Sequence, residues 1–147
     1  MHELKMVRKE VLFEATPAEV WQLLTDAKMT KQYMFGCEVL SDWELGSSVT
    51  WEMTDEKGLS IVVVQGKVTA IEQGSKVSFT MFDPNMGLED IPRNYVTLTY
   101  DILEWEDKTQ LVILQGDFAT VDLGTERFEQ SNKGWEQVIP LMKEVLA

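Results

Sequence analysis

The side chains best equipped for acid–base or nucleophilic chemistry are scarce in this sequence. Its lone histidine is His2 and its lone cysteine is Cys37. A serine or cysteine nucleophile needs an imidazole within hydrogen-bond reach, and a histidine at a fraying terminus, far from Cys37, supplies none. Zinc-type ligation draws on histidine and cysteine, so a metal site would rest on carboxylates alone. Those occur as pairs in turn sequences, Glu89 with Asp90 and Glu104 with Glu106, where they read as solubilising loop charges. Neither glycine-rich nucleotide motif occurs. Cys37, beside Gly36, reads as a small core residue. No catalytic residue, metal ligand or cofactor is assigned.

The sequence is better stocked for binding, with eight methionines and five tryptophans. Methionine is unbranched and polarisable, so Met34, Met53, Met81 and Met142 suit an adaptable apolar cavity with Trp51 and Trp135 as flat walls, or else simply fill a core. Arg93, Tyr95, Tyr100 and Gln115 are the polar candidates for a mouth, each able to hydrogen-bond a ligand carbonyl or hydroxyl. A dry apolar cavity of about 300 Å³ would cost about 7 kcal/mol at roughly 24 cal/mol per Å³. Total stability is about 5–15 kcal/mol, so a cavity must be small, hold water around polar groups, or take a ligand.

The elements that position these residues follow from periodicity. Val7, Val11 and Phe13 alternate with Arg8 and Glu10, which predicts an opening strand. Thr16-Pro17-Ala18-Glu19 joins a capping hydroxyl, a proline at the first helical position and a glutamate three residues after the cap, a strong helix start. Val20, Trp21 and Leu24 form its predicted buried side, and residues 26–34 read as a second short helix ended by Gly36. Five strands follow over residues 48–54, 59–72, 75–82, 93–104 and 109–117, separated by turn residues. Short turns favour an antiparallel meander. Alternation puts Val49, Trp51 and Met53 on one side, Val62, Val64, Gly66, Val68 and Ala70 on one side, then Val77, Phe79 and Met81, and Val96, Leu98, Tyr100 and Ile102. Leu111 to Leu114 is apolar on both sides, and its inward face stays undecided.

Residues 126–147 change to helical period, with Phe128, Ser131, Trp135, Val138, Ile139, Met142, Val145 and Leu146 on one face. Only the apolar side of the sheet is large enough to receive it. Gly134 and Pro140 are its weak points. An interior proline clashes with the carbonyl four residues earlier and costs roughly 3 kcal/mol, which predicts a kink near Pro140, with a gate beyond Leu141, or a helix divided into two pieces.

The 147 residues carry a net charge of −12. This argues against nucleic acid, whose binding draws on lysine and arginine, and against anionic membrane surfaces. Between Asp101 and Glu129 stand eight carboxylates against Lys108 and Arg127, a solvated acidic face or a dock for a basic protein partner. A single cysteine forms no intrachain disulfide, so a reducing cytoplasm is the default. Residues 1–9 lack the apolar run of a signal peptide or membrane anchor. One domain spanning residues 1–147 is expected.

Thr16-Pro17-Ala18-Glu19-Val20-Trp21, then Leu24-Thr25-Asp26, Lys31-Gln32-Tyr33 and Ser41-Asp42-Trp43-Glu44-Leu45-Gly46-Ser47, together with Gly134-Trp135-Glu136-Gln137-Val138, resemble the family related to the C-terminal domain of the activator of Hsp90 ATPase. The likeness covers essentially the whole chain, although Tyr33 stands where relatives often carry tryptophan and the chain has no room for the N-terminal domain of the eukaryotic co-chaperones. It implies the START/Bet v 1-like superfamily and its α+β helix-grip fold, a curved antiparallel sheet in β-α-α-β meander-α order wrapped around a long C-terminal helix. It also implies binding of a small hydrophobic molecule (lipid, sterol or aromatic polyketide) between sheet and helix. The expected lining is Trp51, Met53, Val64, Phe79, Met81, Leu98, Tyr100, Trp135, Val138 and Met142. A protein-interaction module acting through the acidic surface is the alternative. A third reading is an enzyme acting on a bound hydrophobic substrate, with Tyr100 or a buried carboxylate as acid or base.

Overall fold

A computed structural model describes residues 4–147; the expectations placed on residues 1–3, His2 among them, lie outside the described residues. In chain order the elements are β1 (Val7–Phe13), α1 (Pro17–Thr25), α2 (Ala27–Tyr33), β2 (Glu38–Ser41), β3 (Ser48–Thr54), β4 (Ser60–Glu72), β5 (Lys76–Met81), β6 (Val96–Trp105), β7 (Lys108–Gly116) and α3 (Gly124–Val145). A 3-10 turn, Pro92–Asn94, precedes β6. The seven strands form one antiparallel sheet in the order β1-β7-β6-β5-β4-β3-β2. From β2 to β7 each strand pairs with its successor; only β1 joins from a distance, at the β7 edge. The fold is the expected α+β helix-grip arrangement, with the core between the sheet and the helices.

The first helix begins as its sequence requires. Thr16 Oγ1 accepts the Glu19 N–H at 3.1 Å and Glu19 Oε1 accepts the Thr16 N–H at 3.0 Å, closing the capping box. One correction falls on its buried side: Leu23 takes a fully buried place beside Val20 and Leu24, and Trp21 is only half-buried. Asp26 caps α2 through the Lys28 N–H. The Tyr33 hydroxyl, deep in the core, donates to the Leu23 carbonyl at 2.8 Å and ties α2 to α1.

The strands depart from simple alternation along β4. Trp51 pairs with Val64, but Glu52 pairs with Val62, so Val63 is an extra residue. A second register shift separates Val68, opposite Phe79, from Ala70, opposite Ser78. Each bulge reverses the facing of what lies beyond it. The expected shared side therefore holds only for Val64, Gly66 and Val68; Val62 and Ala70 turn to the outer face, while Val63 and Ile71 pack on the core. At Gly66 a Cβ would collide with the Thr80 carbonyl oxygen, so this close strand approach needs glycine.

Pairing also decides the inward face of β7. Leu111 stands opposite Ile102 and Ile113 opposite Tyr100, with Gln115 next on the same side, opposite Leu98. The strand expected from Arg93 starts only at Val96, because buried Asn94 is drawn into a turn: its Nδ2 donates to the Glu89 carbonyl and to Asp122, and its Oδ1 accepts the Asp122 N–H. Helix α3 runs unbroken for 22 residues with Pro140 inside it, so it is not two pieces. Pro140 and Glu136 are both exposed, which lets water take up the carbonyl that proline leaves unpaired. Trp135, Val138 and Met142 anchor the helix on either side.

Candidate functional site

The middle of α3 does not close onto the sheet. A cleft of about 380 Å³ separates them, floored by Trp51 and Met53 of β3, Val63 and Val64 of β4, and Met81 at the end of β5. Ser131, Gly134, Trp135 and Val138 of α3 form its roof. Met34, Phe35 and Cys37, where the chain leaves α2, close one end, and Asp83, Gln115 and Gln130 are also part of the lining.

Two local features open this space. Along the inward stripe of α3, Ser131 and Gly134 stand where a packed helix would carry bulk, and a Cβ built on Gly134 meets nothing within 4 Å. On the sheet side, the Val63 bulge turns two consecutive valines toward the helix. Gly134 reads in the sequence as a weak point of the helix and as part of the Gly134–Val138 motif; the structure makes it part of the roof.

Of the expected lining, Trp51, Met53, Val64, Met81, Trp135 and Val138 meet at the cleft. Phe79, Leu98, Tyr100 and Met142 do not. They belong to the closed core, where Phe79 and Tyr100 meet edge-to-face at 6.2 Å and Tyr100 meets Trp135 in the same way at 6.2 Å. Among the polar candidates only Gln115 reaches the cleft. Arg93 pairs with Asp122 at 3.2 Å, and the Tyr95 hydroxyl donates to Asp90 at 2.6 Å beside Gln65. The gate expected beyond Leu141 is misplaced, since Met142 is fully buried and the helical lining comes from residues 130–138. Met34, named as a cavity candidate from its residue type, also lines the cleft; Phe35, Cys37, Val63, Asp83, Gln130, Ser131 and Gly134 complete the lining, and of these periodicity offered a hint only for Ser131.

The polar chemistry of the cleft is sparse and specific. Gln115 Oε1 accepts the Trp135 Nε1–H at 2.8 Å, and Gln115 Nε2 lies 3.6 Å from Met81 Sδ. Trp51, only 7% exposed, buries an Nε1–H that has no hydrogen-bond partner among the described residues. Burial pushes the Cys37 thiol up, so it remains a thiol rather than a thiolate. Burial pushes the Tyr100 phenol up as well, far from the range of an acid–base group at neutral pH. Among the described residues, no three His, Cys, Asp or Glu side chains gather to hold a metal ion, and no helix is long and apolar enough to cross a membrane. The arrangement is that of an apolar slot with an unpartnered indole N–H in one of its walls.

The model of the family described as Activator of Hsp90 ATPase homolog 1-like protein matches residues 14–147. Among solved structures, a Cytophaga hutchinsonii protein is similar at 23% identity and a TM-score of 0.77, over 99% of this chain and 96% of that one. An Hsp90 activator from Plasmodium falciparum is similar at 15% identity and a TM-score of 0.68, over 92% and 91%. DynU16, a protein of the dynemicin biosynthetic locus, is similar at 16% identity and a TM-score of 0.72; the match covers 97% of this chain and 47% of DynU16. At these identities the likeness is one of fold. The comparison with curated proteins gives no match.

Proposed function

The chain belongs to the family of Activator of Hsp90 ATPase homolog 1-like proteins, and from that premise we propose that it binds a small hydrophobic molecule in the cleft under the middle of α3. The molecule is of the lipid, sterol or flat aromatic polyketide kind. The observation that carries this reading is the Trp51 Nε1–H, buried in a wall of the cleft with no acceptor among the described residues. A buried donor left unmatched costs about 1–3 kcal/mol, and a ligand carbonyl or hydroxyl oxygen in the cleft satisfies it. The walls argue the same way. The cleft of about 380 Å³ is open to water and walled mostly by apolar side chains, and a hydrophobic molecule seated there removes that apolar surface from water, a gain of roughly 25 cal/mol per Å². The role is one of binding, within a single cytoplasmic domain.

Titration of the labelled protein against a panel of lipids, sterols and flat aromatic polyketides tests the reading through amide shifts. Shifts centred on Trp51, Val64, Ser131 and Trp135 are expected; shifts confined to the outer surface, or none with any member, would overturn it.

A protein partner is a second reading, favoured by the β6–β7 hairpin. There Trp105 and Leu103 are exposed beside Glu104, Glu106 and Asp107, and an Hsp90 activator shares the fold. This surface suits a basic, partly apolar partner. Salt-sensitive retention of such a partner, lost on Trp105→Ala, is the result it predicts.

A further inference from the structure

Arg127 is a charge in an unexpected place. It lies in the first turn of α3 and is only 6% exposed, and its Nη1 is buried with no hydrogen-bond partner among the described residues. Among the described residues it enters no ion pair. The two acids that attract it, Asp83 and Asp122, are engaged elsewhere: Asp122 accepts from Arg93 and Asn94, and Asp83 accepts the Asn85 N–H. Burial pulls the guanidinium down from its ordinary value, but arginine starts so high that it stays charged.

This guanidinium lines a recess of about 150 Å³ that adjoins the main cleft and shares Val64, Met81, Gln115 and Ser131 with it. The two spaces adjoin, so an apolar body site lined by Trp51 and Trp135 lies next to a recess lined by a cationic, under-bonded donor. A buried arginine with a free nitrogen is built for a planar oxyanion, because its fork matches the two oxygens of a carboxylate. Asp83 lines both spaces and sets a limit on charge, since a dianionic phosphate would face its carboxylate where a monoanion meets less repulsion.

We propose that the ligand is an amphipathic carboxylic acid, its carboxylate on Arg127 and its apolar body under residues 131–138 of α3. The inference rests on the cleft reading and narrows it from hydrophobic molecules in general to hydrophobic acids.

Decanoate and 1-decanol, which share a tail and differ in the head, make the test. Their affinities are measured at neutral pH for the unaltered protein and for Arg127→Met and Arg127→Lys, with circular dichroism to confirm folding. Decanoate is expected to bind the unaltered protein at least about tenfold more tightly than decanol, the size of a charge-assisted hydrogen bond. Arg127→Met brings the two affinities within about twofold, and Arg127→Lys, if Arg127→Met does not fold, retains the charge but loses the fork and keeps only part of the preference. Equal binding of acid and alcohol with the Trp51 indole resonance moving for both, or a preference undiminished in the variants, overturns the carboxylate assignment and leaves the cleft reading standing. Failure of both compounds to move Trp51 counts against the cleft reading itself, and the acid proposal falls with it.

Discussion

One helix meets one sheet in two different ways. Around Met142 the helix belongs to the same closed core as Leu98, Phe79, Tyr100 and Leu111, and every one of these side chains is buried. Around Ser131 and Gly134 the same helix stands off Trp51, Met53, Val63 and Val64 and leaves the cleft. The backbone elements are continuous through both halves; what differs is side-chain volume on the helix and a bulge in β4. Trp135 sits at the boundary, with its ring against Tyr100 on the closed side and its indole N–H on Gln115 in the cleft. Stability and binding can thus be divided along a single helix, because dense packing at one end is not undone by an opening at the other.

The largest effect that would sharpen this contrast comes from two methionines. Met142→Ala, in the closed half, is expected to lower unfolding free energy by about 2–5 kcal/mol in urea denaturation, and Met53→Ala, at the cleft, by about 1 kcal/mol or less. Equal losses would erase the distinction. Next, Gln115→Ala strips the Trp135 indole of its acceptor and is expected to cost about 1–3 kcal/mol, measured the same way. Gly134→Ala should raise stability by about 0.5–1 kcal/mol, since a helical glycine gains from a methyl that meets nothing. Gly134→Leu, which fills the cleft, should weaken decanoate binding at least about tenfold by calorimetry.

The smallest effect is on alkaline pH. The Tyr33 phenol is pushed well up by burial and then by the neighbouring Tyr100, and the Tyr100 phenol is pushed up by burial alone. A phenol raised by the fold contributes stability that is complete below the ordinary tyrosine range, about 10, and is lost as pH rises through and beyond it. Spectrophotometric titration should therefore show Tyr33 and Tyr100 ionising only together with unfolding, and Tyr95, at the surface loop, before them.

Much of the frame was legible. The Thr16–Glu19 capping box, the alternation on β3, β5 and β6, and the helical stripe from Phe128 to Met142 each express a local rule, and local rules are carried by a few neighbouring residues. The facing of β4 beyond Val64 and beyond Val68 was not legible, because a bulge is decided by pairing with β3 and β5 rather than by the strand's own letters. Leu111 and Ile113 gained a direction only from partners in β6. Division of the site was hidden for a related reason: Phe79, Leu98 and Tyr100 obey the same inward alternation as Trp51, and only the helix position above each strand says which are covered. Arg127 escaped because helical polar positions count as outward, while the loops around Asp83 and Asp122 fold over this one.

The central claim is that the Trp51 indole N–H awaits an acceptor on a molecule seated in the cleft. With the indole nitrogens labelled, the five tryptophans give separate resonances, and a titration with a flat aromatic polyketide that carries ring carbonyl and hydroxyl oxygens should move Trp51 Nε1–H downfield in proportion to saturation while Trp105, exposed on the β6–β7 hairpin, stays fixed. A Trp51 resonance unmoved at saturation, or a shift at Trp105 alone, would contradict the account.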